Sequence, residues 1–376
     1  MSRVVLTRAV PVTALGENLA GLWQGLLREE SGIAPLTHFD CGNYLSGLGG
    51  AIAGLQAPPG GSRLDPLLER VAVQLGPLPV GCRLLVASTK GEIDRLETVG
   101  RQRTLFPRGV LFEPLLAKIA RRFDLADPGS NINAACASSS IALARGAAQI
   151  AAGQAEAVLI YSADILSEFV FSGFSALQAL SPEPSRPFDR QRQGLTLGEA
   201  GVALLLMSEA CARTAGETVL AYVAGWGVAN DAHHVTAPAR DGSGLIRASR
   251  LALCKAALAA EQIAAINAHG TGTVYNDAME LTAFGEIFGD SLPPMHGVKG
   301  SLGHCLGAAG GVEIAIAARA LQEQTIPATC GCLDPEEATR GRVMNSSQSI
   351  SGDYLLCTNS GFGGINSAVI LQRGAQ

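Results

Sequence analysis

Three stretches of this sequence carry side chains that could act on one another: a cysteine at the mouth of an Ala-rich run and two histidines set among glycines. In Asn131-Ile132-Asn133-Ala134-Ala135-Cys136-Ala137-Ser138-Ser139-Ser140 the cysteine follows a short extended run and opens a helical pattern. A helix N-terminus offers unpaired N–H groups and about half a positive charge, which favour a thiolate and lower its pKa. Ala135 and Ala137 leave room for a group bonded to sulfur, and the Cys136 N–H could face a thioester oxygen. Read alone, the segment also fits a buried structural cysteine.

Ile266-Asn267-Ala268-His269-Gly270-Thr271-Gly272-Thr273 ends an expected strand with an imidazole and a glycine turn, at the carboxyl end where open α/β sites lie. A phosphate-binding loop is the rival reading, but the spacing matches neither G-x-G-x-x-G nor the lysine-containing P-loop. A second imidazole, His304, lies in Val298-Lys299-Gly300-Ser301-Leu302-Gly303-His304-Cys305, which runs into Gly310-Gly311-Val312-Glu313. Ionisable groups among such small apolar residues are costly unless paired, so Lys299, His304 and Glu313 are expected to satisfy one another and fix one imidazole tautomer. Asn359-Ser360-Gly361-Phe362-Gly363-Gly364-Ile365-Asn366-Ser367 is a glycine turn with one aromatic, and by itself it could be only a turn.

The elements that must position these residues follow from short apolar runs: Val4 to Thr7, Arg83 to Ala87, Ala157 to Tyr161, Val202 to Met207, Val219 to Val223, Ala264 to Asn267 and Ser367 to Gln372 read as buried strands. Ala137 to Ala152 and Gly310 to Leu321 read as Ala-rich helices suited to close packing. The alternation predicts a layered α/β fold. Ala57 to Ser62 and Ser181 to Pro187 read as surface loops. The cysteine falls in the first half and the histidines in the second, which suits a site where two similar halves meet.

Composition agrees with a deep, dry site. Hydrophobic residues make up 47% and charged residues 16%, with 45 glycines, the profile of a close-packed α/β enzyme. A net charge of −5 lacks the basic footprint of a nucleic-acid binder. Met1 to Thr7 reads as a first strand, not as a signal peptide, and no span of transmembrane length follows, so the cytoplasm is the expected compartment. The nine cysteines show no Cys-x-x-Cys pair of the kind a zinc site uses, and most read as small buried hydrophobes.

Taken together, the chain resembles the β-ketoacyl-acyl carrier protein synthases of the thiolase superfamily, particularly the elongating type. The likeness runs through the Ala-Cys-Ala-Ser-Ser segment at Cys136, Ser185-Arg186-Pro187-Phe188-Asp189, Gly198-Glu199-Ala200-Gly201, Asn267 to Thr273, Lys299 to His304 and Gly361 to Asn366. The resemblance implies a duplicated five-layer αβαβα thiolase-like fold, with a half at 1–210 bearing the nucleophilic cysteine and a half at 211–376 bearing two catalytic histidines. It implies Cys136 as nucleophile, His269 and His304 as the catalytic pair, Lys299 supporting His304, and Glu313 in the same network. Phe362 resembles the gating aromatic whose backbone N–H completes an oxyanion hole, and Asp231-Ala232-His233-His234-Val235-Thr236 resembles a second mobile loop beside it. The implied reaction joins a Cys136-bound acyl chain to a malonyl extender with loss of carbon dioxide, in fatty-acid, polyketide or aryl-polyene synthesis. The implied partners are acyl carrier protein bearing acyl and malonyl phosphopantetheine, and a second subunit in a homodimer or in a heterodimer with a related synthase. No metal, cofactor, nucleic acid or membrane span is expected.

Gly91 to Cys136 is shorter than the elongating type leads one to expect, in the region that shapes the dimer interface and acyl tunnel. A thiolase reading fails because that family's second active-site cysteine lies near the C-terminal glycine turn, not beside a histidine as Cys305 does. A chalcone-synthase reading is disfavoured because its third catalytic group is asparagine where this chain has His304. The rival of another class is a chain-length-factor-like partner subunit, and such subunits typically lose the nucleophile that this chain keeps.

Overall fold

The fully apolar runs become strands buried at every position, as in Ala157–Asp164 and Ala200–Ser208. The computed structural model describes residues 2–102 and 110–374, and ten of its strands join in one mixed sheet. Five come from the first half. From the centre outward they are Val4–Thr13, Ala200–Ser208, Ala157–Asp164, Arg83–Ala87 and Ser130–Asn131. Five from the second half mirror them: Ala221–Asn230, Ile365–Arg373, Tyr354–Gly361, Ile263–Asn267 and Met295–His296. In each array the first three strands pair antiparallel, while the fourth and fifth add in parallel. The arrays meet through Val5 opposite Tyr222 and Leu6 opposite Ala221.

Side chains alternate between the faces of each array, so one strand serves two cores. Leu204 and Leu206 point to a central layer, whereas Leu205 and Met207 point to an outer one. The central layer holds the helices Ser138–Ala151 and Ala309–Glu323, which are covered by sheet on two sides and therefore rich in alanine. Leu64–Leu75 and Phe112–Arg122 cover the outside of the first array. Ser243–Ala256 and Val274–Phe288 cover the second. The result is the expected αβαβα layering, with each central helix beginning near the middle of the molecule.

Two local expectations differ from the structure. The strand expected at Val219 to Val223 is Ala221–Asn230, and its Gly225 and Gly227 are not breakers. A Cβ on Gly227 would lie 2.0 Å from the carbonyl oxygen of Ala248, so glycine there lets the covering helix approach the sheet. The segment Ser181 to Pro187 is not a surface loop throughout. Pro182, Glu183 and Pro184 are exposed, but Ser185 and Pro187 are buried, with the Ser185 hydroxyl donating to the Lys299 carbonyl at 3.0 Å. The stretch from Gly91 to Cys136 contributes Asp94–Gln102, Phe112–Arg122 and the edge strand Ser130–Asn131, while 103–109 lie outside the described residues.

The Gly227 contact yields a stability prediction. Gly227→Ala should destabilise the fold by about 1–3 kcal/mol through overpacking, read as a lower urea midpoint. An unchanged midpoint would show that the helix can move away at no cost.

Candidate active site

Cys136 sits two residues before the helix Ser138–Ala151, on a turn that the chain holds in a costly conformation. Ala135 is left-handed at φ 48°, a state that costs an L-residue about 1–2 kcal/mol. The Ser138 hydroxyl holds this turn, donating to the Ala135 carbonyl at 2.6 Å and accepting from the Ala134 N–H at 2.9 Å. Gly361 passes close by, and a Cβ there would come within 3.2 Å of the Cys136 nitrogen. Next along the chain, the Phe362 N–H is directed at the Cys136 sulfur. One backbone donor, of Phe362, therefore stands beside the thiol, and the Gly361 backbone passes the Cys136 nitrogen.

His269 follows the strand Ile263–Asn267, and two buried carboxylates hold its turn. Glu280 accepts from the His269 and Gly270 N–H groups, both at 2.7 Å. Asp277 accepts from the Thr271 N–H at 3.0 Å and from the Phe188 N–H at 2.8 Å. His304 is held by its backbone. Its N–H donates to Thr196 at 2.7 Å, and its carbonyl accepts from Gly198 at 3.0 Å. The imidazoles stand edge to face with ring centres 5.2 Å apart, and one nitrogen of each lies with the Cys136 sulfur inside a 4.8 Å cluster. The structure thus brings the cysteine and both histidines together from both halves of the chain.

The expected support for His304 is corrected. Lys299 stands 3.2 Å from Nδ1 of His269, also donates to the His269 carbonyl, and pairs with Glu313 at 2.5 Å. Among the described residues His304 Nδ1 has no hydrogen-bond partner. The reason is the turn at Gly303, with φ 70°, which separates Lys299 on the short helix Lys299–Leu302 from His304 beyond it. Glu313 belongs to the Lys299 network as expected, but it serves His269.

Asn359 completes that network, a role the sequence reading did not assign. Its amide donates to Glu313 at 2.5 Å and lies 3.3 Å from His269 Nδ1, while its carbonyl accepts from Ser140 at 2.6 Å. The His269 support is thereby linked to the first turn of the Cys136 helix. Asp277 and Glu280 were missed too. The available signal was a pair of carboxylates one helical turn apart, directly after a glycine turn whose N–H groups need acceptors.

Because Lys299 and Asn359 are both donors, Nδ1 of His269 is an acceptor and the proton resides on Nε2. Burial and then the Lys299 charge push His269 and His304 well below the usual histidine range, so both rings are neutral. Burial pushes the Cys136 thiol up to about 11, against pulls from Lys299 and the Phe362 N–H. Burial thus acts against the expected lowering by the helix end. Glu280 is raised to about 8 by burial and by Asp277.

A cavity of about 350 Å³ reaches this cluster, lined by Cys136, His269, His304, Phe362, Thr271 and Thr273 among others. Phe362 stands at its wall, stacked on Phe174 at 5.6 Å. The Asp231 to Thr236 segment lies against the glycine turn: Asn366 donates to Asp231 at 2.8 Å and Gly363 to the Val235 carbonyl at 2.7 Å.

Comparison with known proteins gives a consistent answer. The beta-ketoacyl synthase N-terminal domain matches residues 88–212, and the beta-ketoacyl synthase C-terminal domain matches 220–332. The 3-oxoacyl-acyl-carrier-protein synthase 2 of Vibrio cholerae is 29% identical over 411 residues, covering 99% of each chain. Nodulation protein E of Rhizobium meliloti is 32% identical over 367 residues, covering 89% of this chain and 90% of that protein. A solved structure described as the ishigamide ketosynthase/chain length factor superposes with a TM-score of 0.92 at 28% identity, covering 100% of both chains.

The depressed imidazoles give a pH prediction. A ring whose pKa is lowered stays neutral above that value and gains a proton only on acidification past it. The ring nitrogen shifts of His269 and His304 should therefore not titrate between pH 8 and about pH 6, measured by nitrogen-15 NMR. A midpoint near 6.5 for either buried ring would contradict the geometry.

Proposed function

The chain belongs to the β-ketoacyl synthase family, and on that premise we propose that Cys136, His269 and His304 carry out decarboxylative Claisen condensation, with Lys299, Glu313 and Phe362 in supporting roles. The observation that carries this assignment is the convergence of one thiol and two neutral imidazoles, from both halves of the chain, in a 4.8 Å cluster at the end of a cavity.

Each step has a group for it. The Cys136 sulfur attacks the thioester carbonyl of an acyl carrier protein substrate, and the carrier's pantetheine thiol leaves with the proton. The transient oxyanion is met by the Cys136 and Phe362 N–H groups, each worth about 3 kcal/mol in a dry site. Malonyl-acyl carrier protein then enters. Its carboxylate departs as carbon dioxide, and the electron pair moves onto the thioester oxygen as an enolate. His269, fixed with its proton on Nε2, donates to that oxygen, and His304 is the second donor. The enolate carbon attacks the Cys136 thioester, and the sulfur leaves. The nine cysteines are free thiols, and no helix among the described residues is long and apolar enough to cross a membrane, which suits the proposed cytoplasmic setting.

The division of the chain into thiolase-like halves at 1–210 and 211–376 is part of the same reading, supported by the two mirrored strand arrays. So is pairing with a second subunit, either a copy or a related synthase, across the edge strand Ser130–Asn131. The similar ishigamide protein is described as a ketosynthase and chain length factor, which favours keeping the heterodimer. A non-catalytic partner role is disfavoured by the intact set of Cys136, His269, Lys299 and His304.

Intact-mass measurement with acyl carrier proteins of graded acyl length tests the nucleophile. Cys136→Ser should form no condensed product, and a parental rate would refute the assignment. His269→Ala and His304→Ala should each slow malonyl decarboxylation by about 10²–10³-fold, while Cys136 acylation survives in at least one of them. Unchanged decarboxylation in both would remove the histidines from the mechanism. Mass in solution should show a dimer, alone or on co-expression with a related synthase, and a fully active monomer would exclude the pairing.

A further inference from the structure

A thiol and two imidazoles with ligand atoms inside a 4.8 Å cluster form the donor set of a soft-metal site. In a tetrahedral zinc site, with metal–sulfur and metal–nitrogen bonds near 2.3 and 2.0 Å, neighbouring donors stand about 3.5 Å apart. The cluster would need to close by only about 1 Å. All three side chains are buried, and both rings are uncharged, as metal ligands must be. By donor type, count and burial, the catalytic cluster is open to capture by a divalent ion that would block the thiol.

What opposes capture is the second shell, which has the reverse polarity of a metal site. A metal-bound histidine donates its other ring N–H to a carboxylate, carbonyl or water, leaving a lone pair for the ion. The other nitrogen of His269 instead faces two donors, the Lys299 ammonium at 3.2 Å and the Asn359 amide at 3.3 Å. The amide is not free to turn over. Its nitrogen is held by Glu313 at 2.5 Å and its oxygen by the Ser140 hydroxyl at 2.6 Å. Nε2 therefore carries a proton where an ion needs a lone pair, and the ammonium adds like-charge repulsion behind the ring. His304 carries no such restraint, since its Nδ1 is unpartnered among the described residues and either tautomer is open to it. The discrimination rests on His269.

We propose that Lys299 and Asn359 act as positioning residues that keep this Cys/His/His donor set closed to soft divalent metals, so that the same three atoms remain available to acyl substrates. Capture would form one metal–sulfur and two metal–nitrogen bonds, release the Cys136 thiol proton to solvent and shift the His269 proton from Nε2 to Nδ1, against the Lys299 and Asn359 donors, with no electron transferred.

Cobalt(II) is the probe, because its thiolate charge-transfer band reports sulfur ligation without any assay of condensation. Failure here is thus distinguishable from failure of the proposed acyl chemistry. Asn359→Asp is nearly isosteric and replaces a donor by an acceptor for a His269 Nδ1–H. It should bind Co²⁺ about 10- to 100-fold more tightly than the parent protein, with a thiolate band that Cys136→Ser removes. Lys299→Met combined with Glu313→Gln, which leaves no lone buried charge, should do the same. If that double variant fails to fold by circular dichroism, Asn359→Asp decides alone. A parent protein that binds Co²⁺ through Cys136 as tightly as Asn359→Asp overturns the proposal, and so does a folded Asn359→Asp with no gain in affinity.

Discussion

The site is organised around one buried ion pair. Lys299 and Glu313 are 1% and 2% exposed, and removing two such charges from water costs several kcal/mol per ion unless every polar atom is met. Here the ammonium meets the Glu313 carboxylate, the His269 carbonyl and Nδ1 of the His269 ring, while the second carboxylate oxygen takes the Asn359 amide. Solving the burial problem in this way also sets the chemistry. With a cation and an amide on one side of His269, the proton is forced to the other side, toward the thiol. Loss of either charge alone would strand its partner at a cost of about 3–5 kcal/mol, so the pair is coupled to stability as well as to the ring.

The duplicated layers are what bring these groups to one point. Glu313 lies on one central helix, and Cys136 precedes the other. His269, Lys299 and Asn359 stand at or just beyond strand ends of the second array. Because the central helices are sheathed by sheet on both sides, the cluster is dry, which strengthens each hydrogen bond aimed at a developing negative charge. That dryness has a cost for the nucleophile. It lifts the Cys136 thiol to about 11, so in the proposed reaction the backbone donors serve the substrate carbonyl and not a standing thiolate.

Much of this was legible in the sequence, and the failures have physical causes. Cys136, His269 and His304 stood out as candidates in glycine- and alanine-rich surroundings, but their joining into one site came from the family resemblance, as did the αβαβα layering beyond the layered α/β fold that alternating apolar runs predict. Lys299 was found but given to the wrong imidazole. Spacing along the chain favoured His304, and only the left-handed turn at Gly303 shows that the side chains diverge. Asn359 carried no visible signal of its role, because its partners, the His269 ring, Glu313 and Ser140, meet it only after folding, whereas Asp277 and Glu280 offered only their spacing after a glycine turn. The buried part of Ser181 to Pro187 misled for the related reason that Pro-rich composition reports backbone shape, not burial.

Lys299 and Asn359 fix His269 as an Nε2–H donor in the cluster it forms with Cys136. Neutron diffraction of deuterium-exchanged crystals near neutral pH observes that proton directly. Deuterium is expected on Nε2 of His269 and none on Nδ1, with the Lys299 Nζ deuterons directed at Nδ1. Deuterium on Nδ1, with Nε2 bare toward the sulfur, would contradict that assignment.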